Sequence, residues 1–237
     1  MERRHEITRL EAFSDAVFAF ALTLLVVSLE VPRNSAQLFD LMRGFLPFAL
    51  MFAMICWIWY EHQQFFSRYN LQDPWAVALN CLLLFVVLFY VYPLKYMTVA
   101  LVGPLVGMVD PETHLPMRHG LEAGDTVMLL YSTGVILIFG AFILLHRHAW
   151  KHRGSLGLDA GESVVLKGSM RGHYISAGLG VASVALVLIA RKTDMYQLVI
   201  AAGVIYSLMG PLHGWNGFTT GKALARLRTT ETADAKR

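Results

Sequence analysis

An all-α, polytopic membrane protein with six transmembrane helices per subunit is the fold class this sequence predicts, and three observations predict it. Of the 237 residues, 56% are hydrophobic and only 16% are charged, against roughly 45–50% and about 25% in soluble domains. The apolar residues gather into long runs divided by short polar segments. The basic residues are spread unevenly over those segments. A chain this apolar cannot hide its side chains in one soluble core, so lipid must be part of its solvent.

Crossing about 30 Å of hydrocarbon takes about 20 mostly apolar residues. The first span reads from Ala12 to Val31 and is closed by Pro32. It follows MERRHEITRLE, which has the outline of a signal peptide. Ser14 and Asp15 at the start of the run, with no clean small-x-small site after it, argue for a retained span. The second span reads from Gly44 to Phe66 and the third from Trp75 to Thr98. The stretch Val99 to Val109 is apolar but too short to span, and Gly103, Pro104 and Gly107 interrupt it. It reads as an extension of the third span or an interfacial loop. The fourth span reads from Thr126 to Leu145, and the fifth, from Ile175 to Ala190, is short. The sixth, Met195 to Leu212, follows a tight RKTD turn, so the last two form an antiparallel hairpin. Residues 1–221 are thus one six-helix unit. Residues 222–237 form a short basic tail, expected as a surface helix or as disordered chain.

Orientation follows from Lys and Arg in the loops. With six spans and an inner N-terminus, the inner side carries Arg3, Arg4, Arg9, Arg68, Arg147, Lys151, Arg153, Lys167, Arg171, Lys222, Arg226, Arg228, Lys236 and Arg237. The outer side carries Arg33, Arg43, Lys95, Arg118, Arg191 and Lys192, a division of 14 to 6 among the 20 basic residues. Both termini are therefore expected in the cytoplasm. Cys56 and Cys81 sit in apolar runs and offer no disulfide framework or metal spacing. They read as small buried hydrophobes.

A charge inside a membrane helix is costly and points to function. Asp15 is such a residue, with Arg9 six positions earlier and Ser14 beside it. The next two spans offer polar partners: Trp59 and His62 in WYEHQQF, and Asn80 in LNCLLLF. The reading expects a polar network of Arg9, Ser14 and Asp15 with these three across helix interfaces. Asp15→Ala is expected to leave those partners unpaired, at roughly 3–5 kcal/mol as for other broken buried pairs, and to assemble poorly or aggregate.

Arg9 followed by Phe13, Ser14 and Asp15, at the spacing R-x-x-x-F-S-D opening a first membrane helix, resembles the signature of the transmembrane protein 175 potassium channel family. The pair W-x-x-H at Trp59 and His62, and Asn80 in the third span, support the resemblance, as do the six spans. The match is to a single-repeat, bacterial-type member. The resemblance implies a homotetramer whose first helices line a central pore. It also implies passive potassium flux past hydrophobic constrictions, with no cofactor beyond the permeant ion. The chain lacks a TVGYG-like filter loop. At about 100° per residue, Phe13, Val17, Phe20, Leu24, Val27 and Val31 share one stripe of the first span, while Asp15 and Leu22 lie near the opposite face. Phe20, Leu24 and Val27 are the expected constriction, and Asp15 is expected to face neighbouring helices as structural glue. Such a stripe on a membrane helix is ordinarily lipid-facing or packed; the motif beside it favours the pore. In one respect the chain departs from the family. Ile or Leu is common seven residues after the motif Phe, and here that position is Phe20. Four aromatic rings would make a bulkier constriction than four aliphatic chains.

His146, His148 and His152 stand among Arg147, Lys151 and Arg153. The tract reads as a basic rim attracted to anionic lipid rather than as a metal site. Asp110, Glu112, His114, His119 and Glu122 read as a solvated outer connection, with ion or pH sensing as the alternative. Lys95 is expected to snorkel to the headgroups, and Trp215 to anchor the end of the sixth span. The chain contains no H-E-x-x-H, no G-x-S-x-G, no phosphate loop and no intramembrane aspartate pair, so an enzyme is not expected. It has no folded basic module for nucleic acid. A secondary transporter is the main rival, although such proteins pair broken helices and midplane charges across repeats. A non-conducting scaffold on the same fold is the third reading.

Overall fold

The computed structural model describes residues 7–27, 29, 31–108 and 124–234. The outer positions Asp110, Glu112, His114, Arg118, His119 and Glu122 lie outside them, as do Arg3, Arg4, Lys236 and Arg237. The described chain is helical. It runs α1 (Arg9–Val27), α2 (Ser35–Arg43), α3 (Phe45–Tyr69), α4 (Pro74–Val102), a 3-10 turn (Gly103–Val106), α5 (Gly124–Lys151), α6 (Ala160–Thr193), α7 (Gln197–Val204), a second 3-10 turn (Ile205–Leu208) and α8 (Met209–Asp234). Six stretches are long and apolar enough to cross a membrane: α1, α3, α4, α5, α6, and α7 with α8 to Thr229.

Local chemistry sets the ends of these helices. Thr8 and Glu11 form a reciprocal capping box at the start of α1, with Thr8 N donating to Glu11 Oε2 at 2.9 Å and Glu11 N to Thr8 Oγ1 at 3.1 Å. Asp159 and Glu162 repeat the device at the start of α6. Asn70 and Asp194 adopt left-handed conformations, φ 46° and 52°, and close α3 and α6. Several helix limits differ from the hydropathic reading. α1 ends at Val27, so Val31 is off the helix. α6 begins 15 residues before the expected Ile175, and its 34 residues extend about 51 Å at 1.5 Å each. That exceeds the hydrocarbon, so a capped polar first part projects from it. The short α2 was hidden by its polarity; its start is Asn34, whose side chain accepts from Gln37 N. α4 takes up the start of the Val99–Val109 stretch, and α8 runs without a break past Lys222 to Asp234.

The chain divides into two compact units, Met1–Asn70 with Leu84–Gly134, and Leu71–Leu83 with Val135–Arg237. In the first, α1 packs along α3, and α2 also touches α3. Tyr90 Oη donates to the Leu130 carbonyl at 2.7 Å, and its ring fills the space where Gly134 has no side chain.

In the second unit α6 is the spine, packed on α7 and α8. Gly168, Gly172, Ser176 and Gly180 recur every four residues and are all buried. Small residues at this spacing let membrane helices approach closely. A Cβ on Gly168 would lie 2.7 Å from Thr220 Cγ2, and one on Gly172 would lie 3.1 Å from Asn216 Nδ2. Asn216 Nδ2 donates to the Gly168 carbonyl at 2.9 Å, and Ser176 Oγ lies 2.8 Å from His213 Nε2. Arg171 clamps the same interface through the Asn216 side chain, the Asn216 carbonyl, Thr219 and Thr220. Gly168→Ala is therefore expected to destabilise the protein by about 1–3 kcal/mol through overpacking, and Thr220→Ala to restore part of the loss. Thermal unfolding of the single and double variants in detergent measures both; additive losses would refute the clash.

His173 lies in the core of this unit, stacked on Phe142 with ring centres 4.9 Å apart and 4.6 Å from His146. His146 Nδ1 is 2.8 Å from the Phe142 carbonyl, and His148 Nε2 is 2.9 Å from Asp73 Oδ2. His152 Nδ1 lies 3.0 Å from the His148 carbonyl, and the two ring centres are 4.4 Å apart. Asp73 Oδ1 accepts from the Trp75 and Ala76 amides, which caps α4. Burial pushes the Asp73 carboxyl up, but the His148 hydrogen bond, its charge and the two amides outweigh burial and hold it below the ordinary carboxylate range. Cys56 is half-buried and Cys81 exposed on α4, contrary to the reading of both as buried; on a helix set in lipid, the outward face is as apolar as a core.

Candidate functional site

The packed face of α1 is the line Ser14, Phe18, Ala21 and Leu25, at steps of four, three and four residues. Ser14 is fully buried, and Phe18 is 2% exposed. The Ser14 hydroxyl donates back to the Leu10 carbonyl at 2.8 Å. The Phe18 ring sits 5.5 Å from the His62 imidazole, which lies 4.6 Å from Phe66 on its own helix. This buried line was missed in the sequence because Ala21 and Ser14 carry little hydropathy. Its signal was the recurrence of small and aromatic residues at helical steps.

Two other faces of α1 flank that line. Phe13, Phe20 and Val27, seven residues apart, are 55%, 56% and 72% exposed on the single chain. Val17 and Leu24 lie half-buried at the edge of the same stripe. Asp15 stands on the other flank, exposed, and Trp59 Nε1 donates to its Oδ1 at 2.7 Å. At about 100° per residue, Phe20 and Asp15 lie roughly a quarter to a third of a turn to either side of the packed line.

Arg9 is exposed at the start of α1, whereas His62 is buried beside Phe18. Asn80 is fully buried within the second unit. One expectation changes in magnitude. Because the Asp15 carboxylate is exposed rather than enclosed, Asp15→Ala is expected to cost on the order of 1 kcal/mol, the scale of a single hydrogen bond, rather than the loss of a buried pair. Asp15→Asn keeps an acceptor for Trp59 and should recover most of it. Unfolding temperatures of the two variants check this; equal losses would show that the charge, not the acceptor, carries the effect.

The sequence reading singled out Asp15 as the acid within a span. The structure adds Glu61, half-buried in α3 and hydrogen-bonded to Trp57 one turn earlier. Two tryptophans of α3 thus serve two carboxylates, Trp57 within the helix and Trp59 across to α1. The W-x-x-x-E spacing was legible in WIWYEH, but the polar end of the run masked it. Among the described residues no group of three or more His, Cys, Asp or Glu is placed to hold a metal ion.

The family described as endosomal/lysosomal potassium channel TMEM175 matches residues 9–90, which hold α1, α3 and most of α4. A protein named potassium channel from Marivirga tractuosa is 35% identical over 228 residues, covering 95% of this chain and 92% of that protein. The chain belongs to the TMEM175 family. A crystal structure of a variant of the potassium channel MtTMEM175, in complex with a nanobody–MBP fusion, superposes with a TM-score of 0.79 at 34% identity, covering 94% of this chain and 97% of that one. A crystal structure of a TMEM175 homologue from Chamaesiphon minutus shares the fold, with a TM-score of 0.56 at 24% identity over 90% of this chain and 96% of that one. This TMEM175 member is an all-α integral membrane protein of an ion-channel family and not an enzyme.

Proposed function

We propose that this chain is a potassium channel, passing the ion passively through a central pore that four copies form with their α1 helices. The observation that carries the proposal is the outward stripe of Phe13, Phe20 and Val27 on α1, in a chain whose near-full-length relative is named a potassium channel. An apolar stripe left open beside a packed face suits a line of contacts around an axis. Phe20, Leu24 and Val27 would form the hydrophobic constriction, which passes ions when a small widening lets water in. Asp15, on the other flank and bonded to Trp59, serves packing rather than ion ligation. Single-channel recording from purified protein in liposomes, with potassium against sodium, tests the reading. Unitary passive currents favouring potassium support it; gradient-coupled flux would indicate a transporter, and no flux a scaffold.

The membrane is the bacterial plasma membrane, with both termini in the cytoplasm. The 14 to 6 division of Lys and Arg supports this. So does the contact of His148, in the last turn of α5, with Asp73 at the start of α4, which puts those two helix ends on one side. A cytoplasm-dependent reporter fused after Arg237 is expected to be active; an active export-dependent reporter there would reverse the topology.

A further inference from the structure

A groove of about 900 Å³ opens on the second unit, among the first turn of α4, the last turns of α5 and the middle of α6. Its lining combines basic and apolar side chains, and Arg147, Lys151 and Arg153 are the basic ones. All three are exposed, and among the described residues none of them is in an ion pair. The nearby acid, Asp73, is already engaged: one oxygen takes two backbone amides and the other takes His148. Leu144, Met170 and Tyr174 give the groove apolar lining as well. Leu144, Arg147 and Lys151 follow at steps of three and four residues, so they stand on one face of α5. From Leu144 to Lys151 the helix rises about 10 Å, enough to reach from the headgroup layer into the acyl layer. Trp75 and Trp150 also line the groove. Trp150 lies between two cations, with Arg153 Cζ 4.5 Å and Lys167 Nζ 4.6 Å from its ring centre. Tryptophan with basic residues is the usual equipment of a membrane–water interface.

We propose that this groove binds one anionic phospholipid, its phosphate headgroup held by Arg147, Lys151 and Arg153 and the upper part of an acyl chain laid along Leu144, Met170 and Tyr174. A free phosphate would use only the basic side chains. The apolar Leu144, on the same face of α5, with Met170 and Tyr174 in the same lining, favours a lipid, and the net positive charge favours an anionic one. The groove shares no residue with the α1 stripe, so the proposal stands whether or not the chain conducts.

The test uses the purified full-length protein in detergent, with phosphatidylglycerol, phosphatidylcholine or inorganic phosphate added. Bound lipid is read by native mass spectrometry and stabilisation by the unfolding temperature. Phosphatidylglycerol is expected to stay bound and to raise the unfolding temperature, and the other two to do neither. Each basic side chain near an anionic surface contributes roughly a factor of five. The triple variant Arg147→Gln, Lys151→Gln, Arg153→Gln should then bind phosphatidylglycerol on the order of a hundredfold more weakly. The control Arg191→Gln, Lys192→Gln, at the far end of α6, should bind it unchanged. Lys151→Gln alone should weaken binding about fivefold, which keeps the test decisive if the triple variant fails to fold. Undiminished binding in these groove variants would overturn the proposal. Equal stabilisation by inorganic phosphate would make this a soluble-anion site instead. A changed subunit number in the triple variant would make the face a contact between copies.

Discussion

Phe20→Ala is expected to raise single-channel conductance or resting leak severalfold and to weaken the preference for potassium over sodium. The side chain is more than half exposed on the folded chain, so its removal leaves the packing of α1 on α3 intact. Its loss would be felt where copies meet at the axis. A ring of four phenyl groups holds ions back chiefly by excluding water, and alanine would widen and wet the passage at that level. Leu24 and Val27, one and two turns on, would remain as further layers. Leu22→Ala is the matched control. It stands near Asp15 on the other flank of α1 and is half-buried, so it should disturb packing more than permeation. Recordings from the two variants in the same liposomes decide the matter. Equal effects, or a silent Phe20→Ala in a conducting protein, would place the ion path elsewhere.

Phe18→Ala should do the reverse, leaving the stripe untouched and loosening the unit behind it. The ring is 2% exposed, lies on the packed line of α1 and meets His62 at 5.5 Å. Truncating a buried phenyl group typically costs about 3–5 kcal/mol, because lost contacts are compounded by an unfilled cavity. The cavity here would adjoin an imidazole, so water drawn in could soften the loss. Phe18→Leu, which fills most of the volume, should cost distinctly less. Unfolding temperature and the yield of assembled protein in mild detergent are the measurements. A Phe18→Ala variant as stable as the parent would mean that α1 is held by contacts outside this line.

The spans were legible because lipid imposes a simple test: each crossing must be long and apolar, whatever it packs against. That test places α3, α4 and the start of α5 to within about four residues of their hydropathic limits, but ends α5 at Leu145 where the helix runs to Lys151. It fails where other forces set the ends. α6 starts at Ala160 because Asp159 and Glu162 cap it, in a stretch too polar to register as a span. The Phe13, Phe20 and Val27 stripe could be read from helical period alone, and so could the angular separation of Asp15 from it. Which neighbour covered which face could not. Ser14, Phe18, Ala21 and Leu25 become a packed line only beside α3, and Arg171 looks like a loop charge until α8 brings it Asn216, Thr219 and Thr220. Such pairings depend on tertiary contact, which a single chain's pattern does not specify.

The line of Gly168, Gly172, Ser176 and Gly180 also bears on how the chain is made. The partners it brings together across α6 and α8 are 37 to 49 positions apart. They leave the ribosome close together, on two arms joined at the tight bend by Asp194. Entering as a hairpin, the arms can bring His213 and Asn216 to the membrane already bonded to Ser176 and to the Gly168 carbonyl, with Arg171 at the polar start of α6 held on Asn216. Lipid then meets mostly the outer, apolar surface. The absence of side chains along one edge of α6 thereby becomes a condition for membrane insertion as well as for close packing.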